Sequence, residues 1–265
     1  MYEQELALAE VAVQAAAEHL HRLDALSVLS LDGKDIKLSA DKESEDILLE
    51  RLDPSGVPTL AEESGMSGRQ DGLRWIVDPL DGTYNYFRGL RELSCVSVAL
   101  WDNLQPLVGV VRCLGTMQTF SGNVTTGRAC LNGVPISSSG QEDLAQACLA
   151  TGFPVYQSYD DAFLLRQLRR VQAFKKIRMF GTAALMSAFV GAGYVDAYSE
   201  DSIKLWDIAG GIAVSLAAGG AMHLVPLEDG ACRVLLCAST TLLNRAEEFF
   251  FDSNIDYRGH PHVRI

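Results

Sequence analysis

The stretch Trp75-Ile76-Val77-Asp78-Pro79-Leu80-Asp81-Gly82-Thr83-Tyr84-Asn85 passes from an apolar strand, through a turn, into a helix-compatible segment. Its apolar start reads as a buried strand, because aromatic and β-branched residues suit a covered, pleated surface. Asp78 and Asp81 follow at once and bracket Pro79, so both carboxylates are held at a strand-to-helix turn. Two like charges this close need cations or raised pKa values to coexist.

On the C-terminal side, LSCVSVALW (93–101), PLVGVVRCLG (106–115) and MQTFSG (117–122) continue as valine-rich strands separated by turn residues. RACLNGVPIS (128–137) holds an Asn-Gly pair, a strong hairpin signal. On the N-terminal side, Leu6, Ala9, Val13, Ala16 and Leu20 recur at helical spacing and predict a helix over residues 3–26. A turn-rich link, LDGKDIKLSAD (31–41), leads to a second helix opened by Asp41 and ended by Pro54, Gly56 and Pro58. The Ser-rich SSSGQED (137–143) divides the chain into an N-terminal α+β half, 1–137, and a C-terminal α/β half, 138–265. In the second half strand-like and helical segments alternate, ending in the helix DIAGGIAVSLAAGG (207–220), which argues for a layered α/β arrangement.

The 265 residues are 48% hydrophobic and 21% charged, the balance of a folded domain. A formal net charge of -12 opposes general nucleic-acid binding, and the one basic stretch, LLRQLRRVQAFKK (164–176), reads as the solvated face of a helix. No apolar run approaches the roughly 18 residues of a membrane span, and the acidic N-terminus is unlike a signal peptide, so a cytoplasmic protein is expected. The six cysteines form no C-x-x-C pair and read as reduced, buried thiols. The five histidines, His260 and His262 of the tail among them, read as structural or solvated.

Acids stand at two further sensitive places. Glu62 and Glu63 close the apolar run TLA, and Asp207 lies between Trp206 and an almost wholly apolar helix. Taken singly, Asp78 and Asp81 read as turn formers, Glu63 as a loop acid and Asp207 as an N-cap. Taken together, Glu62, Asp78, Asp81 and Asp207 offer only hard oxygen donors, which suits magnesium, manganese or calcium rather than zinc. Gly82 and Thr83 begin a helix, so their N–H groups can face a bound phosphate.

TLAEESG (59–65), WIVDPLDGT (75–83), GTAAL (181–185), VDAYSE (195–200) and LWDIAGG (205–211) occur in an order that resembles the inositol monophosphatase family of magnesium-dependent, lithium-sensitive phosphatases. The resemblance implies an α/β (α+β) fold, the layered αβαβα sandwich of the inositol monophosphatase/fructose bisphosphatase type, and a homodimer. It implies a first magnesium on Glu62, Asp78 and the Leu80 carbonyl, a second on Asp78, Asp81 and Asp207, and a weaker third near Glu62, with manganese as a substitute. It makes Gly82 and Thr83 phosphate ligands, and it sets Asp41 beside Thr83, so that Thr83 with Asp41 or Glu62 helps activate the attacking water. Gly181, Thr182, Ala183 and Glu200 become the residues that line the pocket of a small phosphorylated substrate.

The implied reaction is hydrolysis of inositol monophosphate or a related sugar or polyol phosphate by metal-activated water. Histidinol phosphate, fructose bisphosphate and a 3'-phosphonucleotide would use the same chemistry. A further alternative is a regulatory partner of the transcription machinery. Phe180, Lys204 and the Arg88–Arg91 segment depart from the family's usual residues, and Arg88, Arg91 and Lys204 leave open a second anionic group on the substrate.

Overall fold

The computed structural model describes residues 1–23, 27–32, 35–153, 159–228, 230–251 and 263–265. Helix α1 (Glu3–Arg22) precedes a hairpin, β1 (Val28–Asp32) and β2 (Asp35–Leu38), and then α2 (Ser39–Leu52). The segment expected to be a turn-rich link is therefore a two-stranded sheet in which Asp32 pairs with Asp35. Its alternation over Asp35-Ile36-Lys37-Leu38 is a short strand pattern that the neighbouring Asp and Gly residues obscured. Helix α1 ends at Arg22, and the last residues of its expected span, 24–26, lie outside the described residues, as do His260 and His262.

Next come β3 (Thr59–Ala61), β4 (Gly65–Met66), β5 (Leu73–Asp81), α3 (Thr83–Phe87), β6 (Cys95–Asp102), β7 (Gln105–Cys113), β8 (Thr119–Asn123), β9 (Arg128–Leu131) and β10 (Val134–Ile136). They form an eight-stranded sheet in the order β10-β9-β8-β7-β6-β5-β3-β4. Asn132 and Gly133 both take positive φ, 51° and 77°, and make the expected tight turn between β9 and β10.

The chain then crosses to a second sheet. Its elements are β11 (Cys148–Thr151), α4 (Asp161–Ala173), β12 (Lys176–Arg178), α5 (Ala183–Gly191), β13 (Ala197–Lys204), α6 (Leu205–Ala217), β14 (Ala221–Pro226), β15 (Ala231–Cys237), α7 (Thr240–Phe250) and β16 (Val263–Arg264). The six strands order as β12-β11-β13-β15-β14-β16. Helices α1 and α2 cover one face of the large sheet, α5 and α6 fill the space between the sheets, and α4 and α7 close the far side. Five layers result, the αβαβα sandwich that the motifs implied.

Helix α6 is buried on every side, and its paired glycines explain how. A side chain on Gly210 would run into Ser97 on β6, and one on Gly211 would lie 2.5 Å from the Ala184 carbonyl on α5. Backbone-to-backbone approach on two sides brings the start of α6, with Asp207, up against the end of β5. All six cysteines are free thiols, five of them buried and Cys148 half-buried. The basic stretch on α4 is not wholly solvated: Arg170 is buried, whereas Leu164, Leu165 and Leu168 are exposed.

Candidate active site

β5 determines the site. Asp78 pairs with Ser97 and Asp81 with Cys95, so three steps along β5 match two along β6. One extra residue on β5 makes a bulge at Pro79 and Leu80, where a proline without an N–H is tolerated. In a regular strand residues three apart face opposite sides; the bulge puts Asp78 and Asp81 on the same side. Ser44 of α2 donates to the Pro79 carbonyl at 2.7 Å, and the Leu80 N–H donates to Asp78 Oδ1 at 3.0 Å.

A cavity of about 600 Å³ opens over this bulge. Glu62, Asp78, Leu80, Asp81, Gly82, Thr83, Gly181, Thr182, Ala183, Glu200 and Asp207, the candidate residues other than Asp41, all line it. Asp41 lies one hydrogen bond behind, accepting from Thr83 Oγ1 at 3.1 Å. The same hydroxyl is 2.9 Å from the Leu80 carbonyl, so its single proton serves one acceptor at a time. Asp41 and Asp207 are both third residues of their helices, α2 and α6, rather than caps. Their carboxylates accept the N–H of Leu38 at 2.7 Å and of Lys204 at 3.2 Å. Asp207 misses the N-cap position because α6 begins at Leu205, directly after β13.

Asp81 is tied across the layers. It accepts from the Thr182 hydroxyl, from the Ala184 N–H at 2.8 Å and from the Ala183 N–H at 3.2 Å, all at the positive end of α5. The Thr182 hydroxyl proton is thus committed to Asp81 at the cavity wall. Gly82 has φ +79°, and a Cβ there would stand 2.6 Å from the Leu93 carbonyl, so both conformation and space require glycine. Glu200 meets the opposite wall: Tyr198 donates to Oε1 at 3.1 Å, and the same oxygen lies 2.5 Å from where a side chain on Gly152 would begin.

The acids feel one another. Burial, then the charges of Asp41 and Glu63, push Glu62 up to about 8, with Lys37 pulling the other way. Asp78 is held well above the carboxylate range by burial and by Glu62, Asp81 and Asp207. Asp207 is raised by burial, Glu62, Asp81 and Glu200. Burial raises Asp81 too, opposed by its α5 donors, and raises Glu200 to about 8 against its Tyr198 hydrogen bond. Burial takes Asp41 to about 6 despite its hydrogen bonds from Leu38 and Thr83.

Among the described residues no group of three or more His, Cys, Asp or Glu side chains is gathered closely enough to hold a metal ion as it stands. The chemistry of the donors nevertheless fits a hard cation: oxygens only, buried at Asp78 and Asp81 and half-buried at Glu62 and Asp207, with Glu62, Asp78 and Asp207 each destabilised as an anion by neighbouring acids, an imbalance that bound positive charge removes.

Several participants lay outside the sequence reading. Lys37, on the hairpin, binds both Glu63 oxygens at 2.9 and 2.8 Å and also lines the cavity. Glu45 accepts the Glu63 N–H at 2.9 Å. Asn85 reaches the carbonyls of Leu93 and Phe180 at 2.7 and 2.8 Å and so holds the turn at Gly181. Its position in TYN, within the first turn of α3, was the available signal. Of the three basic residues weighed for a second anion, Lys204 lines the cavity. Arg91 instead donates to the His21 and Leu23 carbonyls and lies over the Tyr86 ring, and Arg88 is exposed outside the cavity wall.

The sequence pattern of the inositol monophosphatase family matches residues 1–248. The Nus factor SuhB of Xylella fastidiosa is 35% identical over 209 residues, 76% of this chain and 74% of its own. The inositol-1-monophosphatase of Mesorhizobium japonicum is 34% identical over 197 residues, 72% of this chain and 73% of its own. The solved structure of the inositol monophosphatase from Anabaena (Nostoc) sp. PCC 7120 superimposes with a TM-score of 0.79 at 30% identity, over 93% of this chain and 96% of that one. With the five-layer fold and the acid-lined cavity, these likenesses make the chain a member of the inositol monophosphatase family and a phosphatase, a hydrolase of phosphoric monoesters.

Proposed function

We propose that the chain hydrolyses a polyol monophosphate, with inositol monophosphate the leading substrate, and uses magnesium to do so. The observation that carries this reading is the convergence of Glu62, Asp78, Asp81 and Asp207, from three separate segments, on one cavity whose far wall is Glu200. Glu62, Asp78, the Leu80 carbonyl, Asp81 and Asp207 would hold two to three ions, with Mn2+ as a substitute. Bound cations supply Lewis-acid polarisation of water and neutralise charge on the phosphoryl and leaving oxygens.

The rest falls to the chain's own groups. The Thr83 hydroxyl can give its proton to a hydrogen bond with Asp41, 3.1 Å away, which would leave its oxygen to accept from the attacking water. The N–H groups of Gly82 and Thr83 receive the phosphate oxygens. Glu200 accepts hydrogen bonds from substrate hydroxyls. Gly181 and Ala183 border the ring, while Thr182 acts through Asp81.

Phosphate release should be measured with inositol monophosphate, histidinol phosphate, fructose bisphosphate and a 3'-phosphonucleotide, in magnesium and in EDTA, with and without lithium. The reading expects turnover of inositol monophosphate at least comparable to the others, lost in EDTA and inhibited by lithium. Preference for the phosphonucleotide would overturn it. A cytoplasmic homodimer belongs to the same proposal, and light scattering tests the second part.

A regulatory role in transcription is a second reading, favoured by the likeness to a Nus factor. Rescue of a deletion strain by a hydrolysis-dead variant would select it.

A further inference from the structure

Directly behind Glu200 the next residue, Asp201, points through the sheet into the outer layer. Glu200 pairs with Val234 and Ile203 with Cys232, three steps on β13 against two on β15, so this strand also carries an extra residue. Consecutive side chains leave a strand on opposite faces. Glu200 accordingly lines the cavity, and Asp201 is met by α4. Arg170 grips it with two parallel hydrogen bonds of 2.8 Å, Nη1 to Oδ2 and Nη2 to Oδ1. Gln167 adds a third at 3.1 Å, and Arg233 Nε stands 3.6 Å from Oδ1.

The Arg170 guanidinium is itself fixed, donating from Nε to the Phe249 carbonyl at 3.1 Å and lying 4.3 Å over the Phe250 ring. Both charged side chains are 2% exposed. Burial alone would raise the Asp201 carboxyl, yet the hydrogen bonds and charge of Arg170, with Arg233 and Arg166, hold it below its ordinary range. A buried ion pair of this kind adds little net stability over an apolar replacement, and its two parallel hydrogen bonds fix the relative geometry of the two groups.

We propose that Arg170 is a positioning residue for substrate selection: by clamping Asp201 it holds the β13 bulge in register and so holds the Glu200 carboxylate at the cavity wall. This inference rests on the reading of Glu200 as the acceptor of substrate hydroxyls. The space around Glu200 is tight on the Gly152 side and hydrogen-bonded on the Tyr198 side, so a shift of the bulge moves the carboxylate away from the substrate. Glu62, Asp78 and Asp81 belong to other elements and stay in place, and Asp207, which follows β13 on α6 and accepts the Lys204 N–H, is held by the packing of α6 through Gly210 and Gly211.

Arg170→Lys keeps the charge and loses the fork, which makes it the first variant. Asp201→Asn keeps the shape and loses the charge, and serves if the first does not fold. Each should raise KM for inositol monophosphate about tenfold with kcat within about threefold. Hydrolysis of p-nitrophenyl phosphate, which has no polyol hydroxyls, should stay as in the parent. Glu200→Ala should raise the same KM, and adding Arg170→Lys to it should change KM by less than about twofold. If Glu200→Ala leaves KM unaltered, the reading beneath fails and the inference with it. If Glu200→Ala raises KM while neither Arg170→Lys nor Asp201→Asn does, the inference alone is overturned. Equal losses on both substrates would reduce Arg170 to a stability role and overturn it as well.

Discussion

Asp78 shows how residue type and surroundings divide the work. It is buried beside three other acids, and its own hydrogen bond comes from the Leu80 N–H, inside the same bulge. Asp78→Asn keeps that shape and removes a charge that the fold finds costly. The variant should lose at least about a hundredfold in kcat while melting no lower than the parent in EDTA, a pattern of function held against stability. Near-parental turnover would remove Asp78 from the proposed metal set. The acids also fix a direction for pH. Burial pushes Glu62 and Glu200 up to about 8 in the folded chain against an ordinary value of 4.5, so between those values the folded state holds protons that the unfolded state has released. Stability in EDTA should be full below about pH 4.5 and fall as pH rises toward 8, and magnesium should flatten that fall by favouring the ionised carboxylates. A Tm in EDTA that is constant across this window would contradict the shifts.

Elements carry the close approach on which the site depends. α6 meets β6 through Gly210 and α5 through Gly211, and this contact delivers Asp207 to the end of β5. Gly211→Ala would set a methyl group 2.5 Å from the Ala184 carbonyl, and Gly210→Ala would drive one into Ser97. Each should cost about 1–3 kcal/mol of overpacking, read as a lower Tm, and should weaken magnesium binding by moving Asp207. Isothermal titration with magnesium would separate that displacement from simple loss of folded protein. Helix boundaries were the least legible part at this scale. α6 starts at Leu205 and α2 at Ser39, two residues ahead of the acids expected to open them, because the preceding strands run directly into the helices without a loop.

Across the whole molecule the two proposed halves, 1–137 and 138–265, share a layer. The α5–α6 layer comes from the second half yet packs on strands of the first. A chain ending at residue 137 would expose the inner face of the large sheet, including Ile76, Ala99 and Trp101, each within 1% of full burial. Expressed alone it should aggregate, and co-expression with 138–265 should rescue it if the halves are folding partners; a soluble, cooperatively melting 1–137 would show that the first half is self-sufficient. The charge of -12 surrounds a site for an anion, so turnover should fall steeply when magnesium is withdrawn at low ionic strength.

Local chemistry wrote much of this into the sequence. The strand-turn-helix of WIVDPLDGTYN, the Asn132-Gly133 hairpin and the apolar α6 depend on neighbouring residues, and the order of the acidic motifs carries the family. Packing between distant segments decided the rest. Whether Asp78 and Asp81 share a face depends on a bulge whose register is set by β6; Asp81's partners come from α5; Arg170 is buried because Asp201 meets it from another layer. These are long-range contacts, and periodicity along a chain reports only which side of its own element a residue takes, never what stands opposite.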